Sequence, residues 1–326
     1  MQRLGRALLV SILAVTSMLS VGCGKSGEEE QVVIYTNADD EAVEVMKKVL
    51  DSNGFSDKYI LQSFGTSELG GKLLAEGANI EADLITMSSF YIDSAQQKNM
   101  FLDLNFDTKA LEEYPAYYTP ITSQEGAIIY NTEVLAENKL PVPTAIADLA
   151  DPVYEGFISV TDIQSSSTAW LLIQALVSEY GEVGAKEILK NIYTNAGAHI
   201  ESSGSGPIKK VRTGEVAIGF GLRHQAVADK AEGMPIEYID PSEGNFTLTE
   251  SVAVVDKADK TNPLAMEMAE CIIKNGRADL IKTYPVALYE GETIDEVNTS
   301  NNTKAFSEKL TVDLLKKHQV LSEACK

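Results

Sequence analysis

The chain has 326 residues, enough for two lobes of ordinary domain size, and carries 48 acidic against 27 basic side chains for a formal net charge of −21. A surface this acidic repels phosphate backbones, which excludes nucleic acid as a partner and suits solubility outside a cell. Three cysteines are too few for a disulfide framework, and His199, His224 and His318 lack metal-ligand spacing, so no metal or cofactor is expected.

Arg3 and Arg6 precede an apolar run from Ala7 to Leu13, extended by Ala14, Val15, Met18 and Leu19 and ending in Val21-Gly22-Cys23. This pattern reads as a secretory signal over residues 1–22, shorter than the roughly 20 apolar residues of a membrane span. Residues 23–30 follow as a polar tether. The ending resembles a bacterial lipoprotein signal, with Ser20 where such signals usually carry leucine. The resemblance implies that Cys23 becomes the acylated first residue of the mature chain, on the outer face of the cytoplasmic membrane. Cys271 reads as buried in a helix and Cys325 as free and exposed, with a disulfide between them left open.

After the tether, strand and helix patterns alternate. Gln31 to Tyr35 is β-rich, and Asp39 to Asp51 repeats apolar residues at helical spacing. Tyr59 to Phe64 is the next strand, a Gly65-Thr66-Ser67 turn opens a helix to Glu76, and Ala82 to Met87 is a strand stopping at Ser88-Ser89. Ala127 to Tyr130 follows as a strand, then a helix at Ala145 to Leu149. A second unit begins with the strand Phe157 to Thr161 and the polar segment Asp162 to Ser167. Two helices come next, Thr168 to Glu179 and Val183 to Tyr193. Residues 202–207, Ser-Ser-Gly-Ser-Gly-Pro, break the chain before a helix at Ile208 to Arg212 and a strand at Val216 to Phe220. Ile236 to Ile239 and Leu248 to Val255 are further strands, ahead of a helix from Pro263 to Lys274. Such alternation predicts an α/β fold whose parallel sheets gather the loops after their strands on one edge.

The order of the pieces resembles the two-lobed solute-binding proteins of ABC importers, in the group that includes ferric-ion, thiamine, polyamine, sugar-phosphate and phosphonate binders. The carriers are Val32-Val33-Ile34-Tyr35-Thr36-Asn37, Ala82-Asp83-Leu84-Ile85, Gly126-Ala127-Ile128-Ile129-Tyr130-Asn131, Gly214-Glu215-Val216-Ala217-Ile218-Gly219 and Asn262-Pro263-Leu264-Ala265. The resemblance implies a periplasmic-binding-protein-like fold of type II, with two chain crossings near Ser123 to Asn131 and Asp240 to Thr247. Lobe one would then comprise 31–123 and 247–326, and lobe two 124–246. It further implies a monomeric, non-enzymatic carrier that hinges shut on a small molecule and delivers it to a permease.

Helix starts at the carboxyl ends of strands supply the candidate ligand set. From lobe one these are Asn37, Asp39, Thr66, Ser67, Ser88 and Ser89, and from lobe two Ser166, Ser167, Thr168, Ser203, Gly204, Ser205, Arg223 and His224. Hydroxyls and exposed amides suit a phosphate or phosphonate with no lysine nearby, and Arg223, directly after a strand, would clamp the oxyanion. Glu250, a charge interrupting a strand, would meet a ligand ammonium. 2-Aminoethylphosphonate satisfies both ends. A ferric ion fits less well, because Phe220 to Gln225 lacks the tyrosines such binders place there. Thiamine or a polyamine wants aromatic walls, while the single tryptophan, Trp170, reads as core. For a secreted hydrolase the chain offers neither a Gly-x-Ser-x-Gly elbow nor a His-Glu-x-x-His.

Overall fold

The computed structural model describes residues 30–294 and 298–326, and the signal, Cys23 and most of the tether lie outside them. Residues 31–326 form one compact unit, and no described helix is long and apolar enough to cross a membrane. In chain order the elements are β1 (Val32–Thr36), α1 (Asp40–Leu50), β2 (Tyr59–Ser63), α2 (Thr66–Glu76), β3 (Leu84–Ser88), α3 (Ser89–Gln96), β4 (Thr119–Asn131) and α4 (Thr132–Asn138). Then come β5 (Ile158–Thr161), α5 (Thr168–Ala196), β6 (Ile200–Glu201), α6 (Gly206–Arg212), β7 (Ile218–Leu222), α7 (Arg223–Ala231) and β8 (Ile236–Ile239). The rest are β9 (Asn245–Val254), α8 (Pro263–Cys271), α9 (Arg277–Thr283), β10 (Thr303–Lys304) and α10 (Val312–Glu323).

The strands follow the order β2-β1-β3-β9-β4-β7-β5-β6, with β8 beside β4 and β10 beside β9. β1, β2 and β3 are parallel, and β9 runs antiparallel to β3. Two long strands join the halves of this curled sheet. β4 pairs with β9 over Thr119 to Glu125, and its remainder, Gly126 to Asn131, pairs with β7 on one side and β8 on the other. β5 and β6 extend that second half in parallel.

Local chemistry explains why these elements begin where they do. Asp39 caps α1 through the Ala42 amide, acids fill the first turn and Lys47 and Lys48 the last, all with the helix dipole. Asn262 caps α8 just ahead of Pro263, whose missing N–H costs nothing in a first turn. The two helices expected over Thr168 to Tyr193 are present as the two arms of α5, separated at Gly181, whose non-helical φ of 66° and ψ of 172° glycine adopts at little cost. Ala145 to Leu149 is a short 3₁₀ turn over Ile146–Ala150 rather than an α-helix.

Trp170 is fully buried, as expected; its indole N–H donates to His318 Nδ1 at 2.7 Å and Phe90 meets its ring edge-on. Burial holds the His318 pKa below the usual value, which keeps that acceptor neutral. The His318 helix, α10, packs on α5, with Tyr193 bonded to Ser322 and Gln164 and Gln319 bonded across the seam. α10 also touches α3, so it lies between α5 and the N-terminal strand-helix unit. Cys271 and Cys325 are both free, and Cys325 is buried rather than exposed because α10 presses its thiol toward the carbonyls of Lys186 and Leu321.

A hydroxyl-lined candidate ligand cavity

The loops after β1, β2, β5 and β6 converge on a cavity of about 270 Å³. Asn37, Asp39, Asp40, Gly65, Thr66 and Glu250 face it from the β1, β2 and β9 side, and Ser165 to Thr168, Ser202 to Ser205 and Lys209 from the other. Gln124, from the long strand β4, also lines it.

The two sides meet. Thr66 Oγ1 lies 3.5 Å from Ser167 Oγ, the Ser67 amide donates to the Ser165 carbonyl at 3.4 Å, and Gln225 Nε2 donates to Glu41 Oε1 at 3.1 Å. Neither Gly65, the cap of α2, nor Ser167, the cap of α5, makes a side-chain capping bond. Both helices begin beside the cavity, with the Ser67 amide turned to the Ser165 carbonyl and the Thr168 amide to Ser166 Oγ at 3.4 Å, so the positive ends of two helix dipoles face it, which suits an anion. Gly204 lies against Thr168: a Cβ there would stand 2.2 Å from Thr168 Oγ1, so the approach of this loop to α5 requires glycine.

Glu250 is the buried acid of the cavity. Ser88 donates to its Oε1 at 2.8 Å and Asn37 Nδ2 lies 3.5 Å from the same atom. Burial raises its pKa to about 7, against these two bonds and with the nearby charge of Asp39 adding to the rise. Glu250 Oε2 and Asn37 Oδ1 are buried acceptors without a donor among the described residues. A ligand with N–H donors would satisfy both.

Thr66, Ser166, Ser167, Thr168, Ser203, Gly204 and Ser205, expected from sequence, come together here with Asn37, Asp39 and Glu250. Four expected contacts do not, besides His224. Ser67 bonds Tyr91, Ser88 stands behind Glu250, and Ser89 bonds Ser251 and the Thr249 carbonyl. Arg223 is buried away from the cavity. Its Nε and Nη2 hold Asp240 at 2.7 and 3.2 Å, Nη1 donates to the Asn298 carbonyl, and Tyr238 covers its face. Its pKa is raised, because the Asp240 bond and charge outweigh a burial that works the other way. The strand expected to end at Phe220 ends at Leu222, so Arg223 opens α7 and turns into the protein.

His224 also lies outside the cavity lining, 3.5 Å from Asp39 Oδ2 and with the Tyr284 ring tilted against it at 4.4 Å. Asp39 Oδ1 is bound by the Tyr284 hydroxyl and the Ala42 amide. Burial would raise the Asp39 pKa, but His224, Tyr284 and Ala42 together hold it below the usual value, while burial and Asp39 push Tyr284 far up.

The cavity also holds a cation, Lys209, beside the hydroxyls expected to suit an oxyanion with no lysine nearby. Side chains on a helix lean toward its N-terminus, so Lys209, three residues into α6, reaches back over the serine loop that precedes it. That spacing was the signal available in the sequence.

A sheet bridged by two long strands with a polar cavity between its halves defines a two-lobed binding protein. The family model for bacterial extracellular solute-binding proteins matches residues 79–303, and the chain belongs to that family, the substrate-binding components of ABC-type importers. An uncharacterized protein of Haemophilus influenzae is 28% identical over 254 residues, covering 72% of this chain and 71% of the relative. An Fe(3+)-binding periplasmic protein of Serratia marcescens is 28% identical over 235 residues, 68% of this chain and 66% of that one. Among solved structures, the periplasmic binding protein P5PA superposes with a TM-score of 0.74 at 17% identity, over 90% of this chain and 98% of that one. AfuA from Actinobacillus pleuropneumoniae, with fructose-6-phosphate bound, gives 0.70 at 22% identity over 91% and 95%.

Proposed function

We propose that this chain captures a small zwitterionic phosphorus compound, with 2-aminoethylphosphonate as the best fit, and delivers it to its importer's permease without chemical change. The observation that carries the reading is the composition of the cavity: serine and threonine hydroxyls with one lysine for an oxyanion, and Asn37 and Glu250 with unmatched acceptors for an ammonium. In this reading lobe one is 31–123 with 247–326 and lobe two is 124–246. The ligand enters when β4 and β9 flex, and the lobes shut on it. A ferric ion is a poorer fit, because among the described residues no tyrosine lines the cavity and Lys209 does.

The test is a calorimetric titration of wild type and Lys209→Ala with 2-aminoethylphosphonate, ethylphosphonate, inorganic phosphate, fructose 6-phosphate and ferric citrate. A charge-assisted hydrogen bond contributes about 1.5–3 kcal/mol, so Lys209→Ala is expected to weaken phosphonate binding by about 10- to 100-fold. Saturable ferric binding with no response to any phosphorus compound would sink the reading.

The mature chain in this proposal is a monomer tethered through acylated Cys23. Motivated by Gly22-Cys23 and the polar tether, Cys23→Ala is expected to move the protein from the detergent phase to the aqueous phase, or to leave it unprocessed. Unchanged phase partitioning of the variant would count against lipidation.

A further inference from the structure

Beside the cavity, Asp39, Glu41 and His224 offer three ligand atoms that all lie within 4.8 Å of one another. Nothing in the sequence spacing announces them, since Asp39 and Glu41 flank the start of α1 and His224 belongs to α7. His224 is 6% exposed, and neither of its ring nitrogens has a hydrogen-bond partner among the described residues. Asp39 Oδ2 and Gln225 Oε1 are likewise buried without a donor. Asp39 Oδ2 and His224 Nε2 have only each other, as an ion pair at 3.5 Å, and His224 Nδ1 and Gln225 Oε1 have no partner among the described residues, so the place calls for an occupant.

The separations indicate which kind. His224 Nε2 and Asp39 Oδ2 stand 3.5 Å apart, beyond good hydrogen-bond distance. Two ligands of a tetrahedral zinc, each about 2.0–2.2 Å from the ion, stand about 3.3–3.6 Å apart. The donors are also held from behind. Tyr284 and the Ala42 amide fix Asp39 Oδ1, leaving Oδ2 turned to His224, and Gln225 Nε2 fixes Glu41 Oε1. The Tyr284 ring, 4.4 Å from the imidazole, sets its orientation. Supporting bonds of this kind are what orient metal ligands.

We propose that Asp39, Glu41 and His224 bind a divalent cation of the zinc class that ties the start of α1 to α7. The ion is separate from the organic ligand, although Asp39 borders both sites. Because the ligands come from opposite sides of the cleft, the ion favours the closed arrangement, and by reciprocity it tightens capture of the organic ligand. This last consequence rests on the two-lobe closure proposed above.

The experiment is a calorimetric titration of the chelator-stripped intact chain with zinc chloride, with no organic ligand present. One ion per chain at micromolar or tighter affinity is expected, weakened at least tenfold in His224→Ala and in Glu41→Gln. Glu41 is partly exposed, so its variant decides the matter if His224→Ala folds poorly. No saturable binding, or equal binding in wild type and Glu41→Gln, would overturn the site and leave the imidazole and Asp39 as a plain polar contact. A failed phosphonate titration would not touch this result, because the zinc measurement contains no phosphonate.

Discussion

Arg223→Ala is expected to destabilise the fold by about 3–5 kcal/mol, the cost of breaking a buried ion pair from one side. The guanidinium is 4% exposed and the Asp240 carboxylate 15%, and the pair is held through two nitrogens. Asp240 also accepts from Asn245, whose amide reaches the Gly126 carbonyl on β4. Losing Arg223 thus leaves a buried carboxylate at the point where the two long strands meet. The check is the urea midpoint of Arg223→Ala against wild type, with Lys209→Ala as control. Lys209 is exposed, so its variant should unfold within about 0.5 kcal/mol of wild type. A variant of Arg223 with normal stability and no phosphonate affinity would return the guanidinium to the ligand.

Glu250→Gln is expected to stabilise the unliganded protein at pH 8 and to weaken the ligand at the same pH. The folded pKa of about 7 lies above the unfolded value of 4.5. Such a raised carboxyl contributes stability that is fully present below the unfolded value and is lost as pH rises through about 7. At pH 8 the charged form therefore costs about 3 kcal/mol, which glutamine removes; at pH 4 the two proteins should melt alike. The ligand reverses the preference, since an ammonium needs the carboxylate. Wild-type affinity for 2-aminoethylphosphonate should rise from pH 6 to pH 8 more steeply than affinity for ethylphosphonate, which shares the titrating phosphonate but has no ammonium. In Glu250→Gln the two slopes should coincide. Equal slopes in wild type would remove Glu250 from the amine end.

The expected alternation of strands and helices matches the observed order through most of the chain because each element carries its own period. The serine loops were legible for a related reason: polar residues at the carboxyl ends of strands have one edge of the sheet to occupy. What the sequence did not carry was direction. Moving the end of β7 by two residues turned Arg223 from the cavity into the protein, where Asp240 waited 17 residues further on. The reach of Lys209 depends on helix geometry, and the meeting of Asp39 with His224 on how two lobes face each other. α10 has a modest apolar stripe, and its partner α5 is distant in sequence, so no local pattern assigned that contact.

The pairing of β3 with β9 has a further consequence. Ser88 reaches Glu250 over a sequence separation of 162, and the first half of the sheet gains its fourth strand from residues that leave the ribosome late. Contacts this distant along the chain slow folding, because a large loop must close before any of them forms. The N-terminal strands on their own present an unpaired β3 edge, and the acid at the heart of the cavity is absent until the C-terminal third arrives. A nascent chain built this way delays commitment to its final shape until most of its length has been made.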